Sequence, residues 1–115
     1  MNIDLQLSAA AIEAIEQQLN GTGTLKLVYD TDGCGCAVNG VPSLWLVSEL
    51  SAFDVPILTN APFPIVIDRH QTVFFEEQMR LHAQGSGYYK LWSSQQIYSV
   101  HVACTDKRHT QFTNA

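Results

Sequence analysis

Basic residues are few and scattered. The chain of 115 residues has six lysines and arginines against eleven aspartates and glutamates, a formal charge of −5. Lys26, Arg69, Arg80, Lys90, Lys107 and Arg108 form no run along the sequence, so nucleic acid is not an expected partner. No stretch approaches 18 apolar residues, which leaves no candidate membrane-spanning helix. The N-terminus carries Asp4 and lacks a basic region followed by a long apolar run, so no secretory signal is expected. Serine–histidine–aspartate motifs, phosphate-binding glycine loops and dinucleotide fingerprints are also missing, so the chain is not expected to be an enzyme. Cysteine is limited to three residues. The default compartment is the cytoplasm, where thiols stay reduced and closely spaced cysteines serve metals or redox chemistry more often than structural disulfides.

What is present fits one globular unit. Hydrophobic residues make up 46% and charged residues 15%, an ordinary balance for a folded chain. The expected organisation is a single domain over residues 1–115 with a polar, frayed tail from about residue 105. Ile3, Leu5 and Leu7 alternate with polar residues as a short strand. Ser8 then caps a helix over Ala9–Leu19, with Ile12, Ile15 and Leu19 on one face and Asn20-Gly21 closing its C-terminus. Strands are expected at Thr24–Tyr29, Ser43–Leu50, Val55–Leu58, Ile65–Ile67, Val73–Phe75, Met79–Ala83, Tyr88–Trp92 and Gln96–Cys104. Extended chain from Cys36 to Val41 with an Asn39-Gly40 turn is a further expectation. Pro56, Pro62 and Pro64 cannot donate to a ladder, which places their region at an edge or in connections. The fold class is α+β: one N-terminal helix and a mixed, mostly antiparallel sheet, curled or closed into a distorted barrel.

Two of the three cysteines lie in Tyr29-Asp30-Thr31-Asp32-Gly33-Cys34-Gly35-Cys36, just past a strand. In extended chain, side chains two apart share a face, so both sulfurs can approach one metal. Gly33 and Gly35 permit a bend and a close approach of backbone to a ligand. Thiolate suits iron–sulfur clusters, zinc and cuprous copper. Asp30 and Asp32 raise the pKa of nearby thiols, which disfavours nucleophilic catalysis, whereas a bound cation reverses that penalty. Against metal binding stands the simpler reading that both cysteines are small residues in a tight turn.

Two sulfurs leave a four-ligand site half complete. Cys104 is the third cysteine, but it shares a strand face with Tyr98, Val100 and Val102 and reads first as a buried, apolar-like residue. A second copy of the chain would supply the missing pair and hold a cluster at a homodimer interface. His70 reads as a solvated loop residue and His82 and His101 as the open face of a sheet. His109 falls in the tail, and Glu76-Glu77 point to opposite faces. The aromatic residues read as core and cross-strand packing.

The segment Leu25-Lys26-Leu27-Val28-Tyr29-Asp30-Thr31-Asp32-Gly33-Cys34-Gly35-Cys36, after the N-terminal helix, resembles the HesB-like iron–sulfur cluster biosynthesis family. Ile67-Asp68-Arg69-His70 and Tyr89-Lys90-Leu91 fit the same pattern. The resemblance runs from about Ile3 to Cys104 and is nearest to a small branch found in Gram-positive bacteria. It implies a compact, mostly β domain with one leading helix, cytoplasmic, that assembles or carries clusters and meets donor and acceptor proteins. Cys34 matches the loop cysteine of the A-type carriers. Their C-terminal Cys-Gly-Cys is missing, since Val102-Ala103-Cys104-Thr105 stands in its place, and Cys36 has no counterpart among their ligands. The expected cargo is iron or an iron–sulfur cluster on Cys34 and Cys36, with zinc as another metal suited to the thiolates. The alternatives are a thiol redox protein using the same pair and an interaction domain of this fold that binds no metal.

Overall fold

The computed structural model describes residues 3–30 and 40–108. The strand β1 (Asp4–Leu7) leads into the helix α1 (Ala9–Leu19). Ser8 is extended, and its Oγ accepts from the Ala11 N–H at 3.1 Å, which satisfies one of the free donors of the first turn. At the other end Asn20 takes the left-handed conformation (φ 54°), and its N–H donates to the Glu16 carbonyl. The buried stripe is centred on Ala11, Ile15 and Leu19, spaced four apart, with Ile12 and Ala14 as its half-buried flanks.

The strands that follow are β2 (Thr24–Asp30), β3 (Val41–Val47), β4 (Asp54–Pro56), β5 (Leu58–Thr59), β6 (Ile65–Asp68), β7 (Gln78–Ala83), β8 (Tyr88–Ser93) and β9 (Ile97–Asp106). Among the described residues they form one sheet in the order β4-β6-β2-β3-β9-β8-β7-β1-β5. Its two outermost strands, β4 and β5, are separated in the chain by Ile57 alone. The Ile57 N–H donates to Ile65 on one edge and the Leu58 N–H to Ile3 near the other, at 3.0 and 2.9 Å. Two edges joined by one residue must lie side by side, so the sheet curls into a nearly closed barrel. The expected strand Val55–Leu58 is therefore two strands that change edges at Ile57. Pro56 sits in β4 at the edge, where its missing N–H costs no ladder bond.

The sheet is mixed, and its two longest unbroken registers, β2 with β3 and β7 with β8, are antiparallel. β2 and β3 pair antiparallel over seven positions, from Thr24↔Val47 to Asp30↔Val41. β1 runs parallel to β7, and β2 parallel to β6. β9 joins the halves: it pairs antiparallel with β8 and then parallel with β3 from Leu44↔Cys104 to Leu46↔Asp106. The register between β8 and β9 shifts twice. Each shift changes which side a residue presents. Val102 is fully buried while Val100 is 40% exposed, so the common face expected for Tyr98, Val100, Val102 and Cys104 is broken at Val100.

One core fills the interior. Leu25, Leu27, Leu44, Leu46, Ile65 and Ile67 come from one half of the sheet. Leu5, Leu7, Met79, Leu81, Tyr89, Leu91 and Val102 come from the other half, and α1 adds Ala11, Ile15 and Leu19. Two further expectations are corrected. Val73–Phe75 is not a strand, because Arg69–Phe74 forms a 3₁₀ helix capped by the Asp68 carboxylate, which accepts from the His70 N–H at 2.8 Å. Residues 48–50 lie beyond β3, which ends at Val47.

Residues 105–108 are anchored to the rest of the fold. β9 continues through Thr105 and Asp106. The Arg108 guanidinium donates to the Gln18, Leu19 and Thr22 carbonyls at 2.6–2.7 Å and to the Asp106 carboxylate at 2.9 Å. A cation thus closes the C-terminus of α1, where the helix dipole favours positive charge. Gly23 makes room for it: a Cβ there would lie 3.0 Å from both Arg108 Cδ and the Val47 carbonyl, at a φ of +102° that other residues avoid.

Candidate functional site

Asp32, Gly33, Cys34, Gly35 and Cys36 lie outside the described residues, as do the expected Asn39 turn position and His109. The structure does describe the frame from which that segment leaves and to which it returns. Asp30 and Val41 are register partners at the ends of β2 and β3, so both ends are fixed on neighbouring strands. β2 is anchored by Leu25 and Leu27, both fully buried, and Leu44 and Leu46 anchor β3.

Tyr29 ties this frame to the rest of the fold. Its N–H donates to Gln71 Oε1 at 2.9 Å, and the Gln71 amide donates back to the Tyr29 carbonyl at 3.0 Å. One side chain thus continues the β2 edge after β6 has turned away into the 3₁₀ helix. The Gly40 N–H donates to the Tyr29 hydroxyl at 3.1 Å. The Tyr29 ring stacks on Phe74 at 4.2 Å and meets Phe75 edge-on at 5.9 Å; Phe75 in turn packs against Tyr98 at 5.7 Å. Sequence reading missed Gln71, since a lone glutamine in an expected loop gives no periodic or motif signal.

Cys104 is set apart from this frame. It is level with Leu44, three positions along β3 from Val41, and its side chain packs against the core. Burial, with the nearby Asp106 carboxylate, pushes its thiol up to about 11, so it stays protonated at neutral pH. Burial and the same cysteine raise the Tyr89 hydroxyl to about 12. The reading of Cys104 as an apolar-like packing residue fits these surroundings.

His70 is exposed, with Nδ1 3.1 Å from Asp68 Oδ1 and its ring edge-on to Phe53 at 4.8 Å. His82 and His101 are exposed on the sheet, against Ser8 Oγ and the Tyr88 ring respectively. No three histidine, cysteine or acidic side chains converge as a metal site among the described residues. No helix there is long and apolar enough to cross a membrane.

Comparison with known proteins settles the class. Residues 3–106 match the family described as iron-sulphur cluster biosynthesis. The chain belongs to this HesB-like family. It is 38% identical over 81 residues to the uncharacterized protein YqkB of Bacillus subtilis (strain 168), covering 69% of this chain and 75% of that one. The fold matches that of a candidate Fe-S biosynthesis protein from Lactobacillus salivarius, with a TM-score of 0.74 at 14% identity, covering 92% of this chain and 99% of the other. A counterpart from Lactobacillus acidophilus gives 0.73 at 13% identity, with 90% of each chain covered. Escherichia coli SufA, involved in biosynthesis of iron-sulfur clusters, gives 0.57 at 16% identity over 77% of each chain.

Proposed function

We propose that this protein is an iron–sulfur cluster assembly or carrier protein that binds iron or a cluster as cargo through Cys34 and Cys36. The observation that carries the reading is the family match over residues 3–106, which spans the Cys-Gly-Cys segment. Its two thiols are of the chemical type that iron takes, and Gly33 and Gly35 leave room for a ligand beside the backbone. Asp30 and Asp32 favour a bound cation over a free thiolate nucleophile. A register pair, Asp30 and Val41, fixes the strand ends from which the segment extends. The family points to iron rather than zinc.

A cluster needs four ligands and one chain offers two here, so a second copy completes the site across a homodimer. Delivery then means exchange of the cluster with donor and acceptor proteins, in a reducing compartment such as the cytoplasm.

Anaerobic reconstitution with iron and sulfide tests this on the wild type and on Cys34→Ser/Cys36→Ser. The expected result is stoichiometric iron and sulfide with thiolate-to-iron absorption, lost in the double variant, at the mass of a dimer. Cys104→Ala is expected to retain the cluster. Wild-type protein without specific iron would overturn the reading. A loaded monomer would overturn the shared site alone.

A further inference from the structure

Basic residues scattered in the sequence meet on one face of the fold. In β7, Met79 and Leu81 point into the core, so Arg80 and His82 point outward. In β8, Tyr89 and Leu91 are buried, so Tyr88, Lys90 and Trp92 point outward. Register places Gln6 beside Arg80, Arg80 opposite Trp92, and His82 opposite Lys90. The Lys90 Nζ lies 4.8 Å from the centre of the Trp92 ring, and the His101 ring meets Tyr88 at 5.8 Å. The helix α1 packs on the inner side of this half and leaves the outer side open.

The two cations of this face outnumber its one carboxylate, Asp4. Lys26 is paired with Asp54 and Arg108 with Asp106, but neither Arg80 nor Lys90 has an ion-pair partner among the described residues. Beside them is a cleft of about 380 Å³ lined by Arg80, Trp92, Gln6, Gln78, Ser93 and Asp4, among others. The Asp4 carboxylate accepts from the Gln6 amide at 2.6 Å. A chain of net charge −5 therefore presents a cationic, aromatic surface in one place.

We propose that the outer face of β1, β7 and β8 is a docking surface for an acidic, extended segment of a partner protein, with Arg80 and Lys90 taking its carboxylates beside Trp92. The guanidinium offers a planar fork of donors that suits a carboxylate, and the lysine adds a second positive charge on the neighbouring strand. The remaining negative charge of the molecule repels an acidic partner elsewhere and so orients its approach. Nucleic acid is disfavoured, because two cations neutralise too few phosphates. The surface involves neither Cys34 nor Cys36 and stands independently of the iron reading.

The test is fluorescence anisotropy with a labelled peptide of alternating glutamate and threonine, and with its glutamine counterpart as control. The glutamate peptide is expected to bind the wild type saturably and the glutamine peptide not to bind. Arg80→Glu/Lys90→Glu should weaken binding at least tenfold, and Arg80→Gln should weaken it less. Arg69→Glu/Lys107→Glu changes net charge equally at other places and should lose less than twofold. Circular dichroism on the same samples confirms that the variants fold as the wild type does. Absence of glutamate-peptide binding, equal binding of the glutamine peptide, equal losses in the two double variants, or tighter binding of oligothymidylate through Arg80 and Lys90 would each overturn the proposal.

Discussion

The half of the barrel made by β4, β6, β2 and β3 is buried on both sides at its centre. Its inward residues Leu25, Leu27, Ile65 and Ile67 are in the core, and its outward Val28 and Val66 are only 5% and 3% exposed. Lys26 reaches Asp54 at 2.9 Å, and the Asp54 side chain is 1% exposed. The half made by β8, β7 and β1 buries Leu91, Leu81 and Leu5 as deeply but leaves its outer side to Arg80, Lys90, His82 and Trp92. Both halves alternate in sequence, so alternation alone does not say how far the second face is covered. What differs is what the outward side carries: Val28 and Val66 in β2 and β6, against Arg80, His82 and Lys90 in β7 and β8.

The strongest way to break this comparison is to cut into the shared interior from each side. Leu27→Ala and Leu91→Ala remove fully buried side chains and should each cost about 3 kcal/mol through lost transfer energy and a cavity. Urea unfolding should remain one transition in both variants. Two transitions would mean that the halves have separate cores.

Asp54→Asn comes next. Burial pushes the Asp54 carboxyl upward, but the Ser51 N–H and the Lys26 ammonium outweigh it and hold the carboxyl below its ordinary value. Removing one charge of a buried pair leaves the other uncompensated, a loss of about 3 kcal/mol at neutral pH. Since the folded pKa is lowered, the contribution is complete above the ordinary carboxylate range and disappears as pH falls through the folded value. The stability gap between wild type and Asp54→Asn should therefore close on acidification, and a gap that stays constant down to acid would contradict the assignment.

The two arginines sharpen the contrast. Arg108, 11% exposed and bonded to three carbonyls, should cost about 2 kcal/mol when changed to alanine. Arg80→Ala on the open face should change stability by less than about 0.5 kcal/mol. Thermal melts of the pair measure the difference directly.

The smallest effect is chemical. With its thiol pushed up to about 11, Cys104 is thiolate in roughly one molecule in ten thousand at neutral pH. Iodoacetamide labelling of Cys34→Ser/Cys36→Ser should be slow and should quicken about tenfold per pH unit over the neutral to mildly alkaline range. Rapid labelling at pH 7 would show that Cys104 is not enclosed as described.

Local signals were legible where local physics decided the outcome. Ser8 and Asn20 bound α1 because a hydroxyl cap and a left-handed residue satisfy its ends with atoms close in sequence. Most strands showed themselves through alternation. Val73–Phe75 misled because β-rich composition was outweighed by the Asp68 cap and by Phe74 stacking on Tyr29. Residues 105–108 gave no such signal for a related reason: polar residues looked unanchored, yet Arg108 bonds to carbonyls some ninety residues earlier.

The sequence by itself determined the helix and its caps, the apolar faces of the strands, the resemblance to the cluster-biosynthesis family and the choice of Cys34 and Cys36 as candidate ligands. Those depend on residue type and near-neighbour spacing, which the linear chain states outright. Only the tertiary structure decided that β4 and β5 meet across Ile57, that Gln71 clamps Tyr29, that Cys104 packs inward, and that Arg80 and Lys90 share one open face. Each of these depends on strand order and register, which bring together residues tens of positions apart.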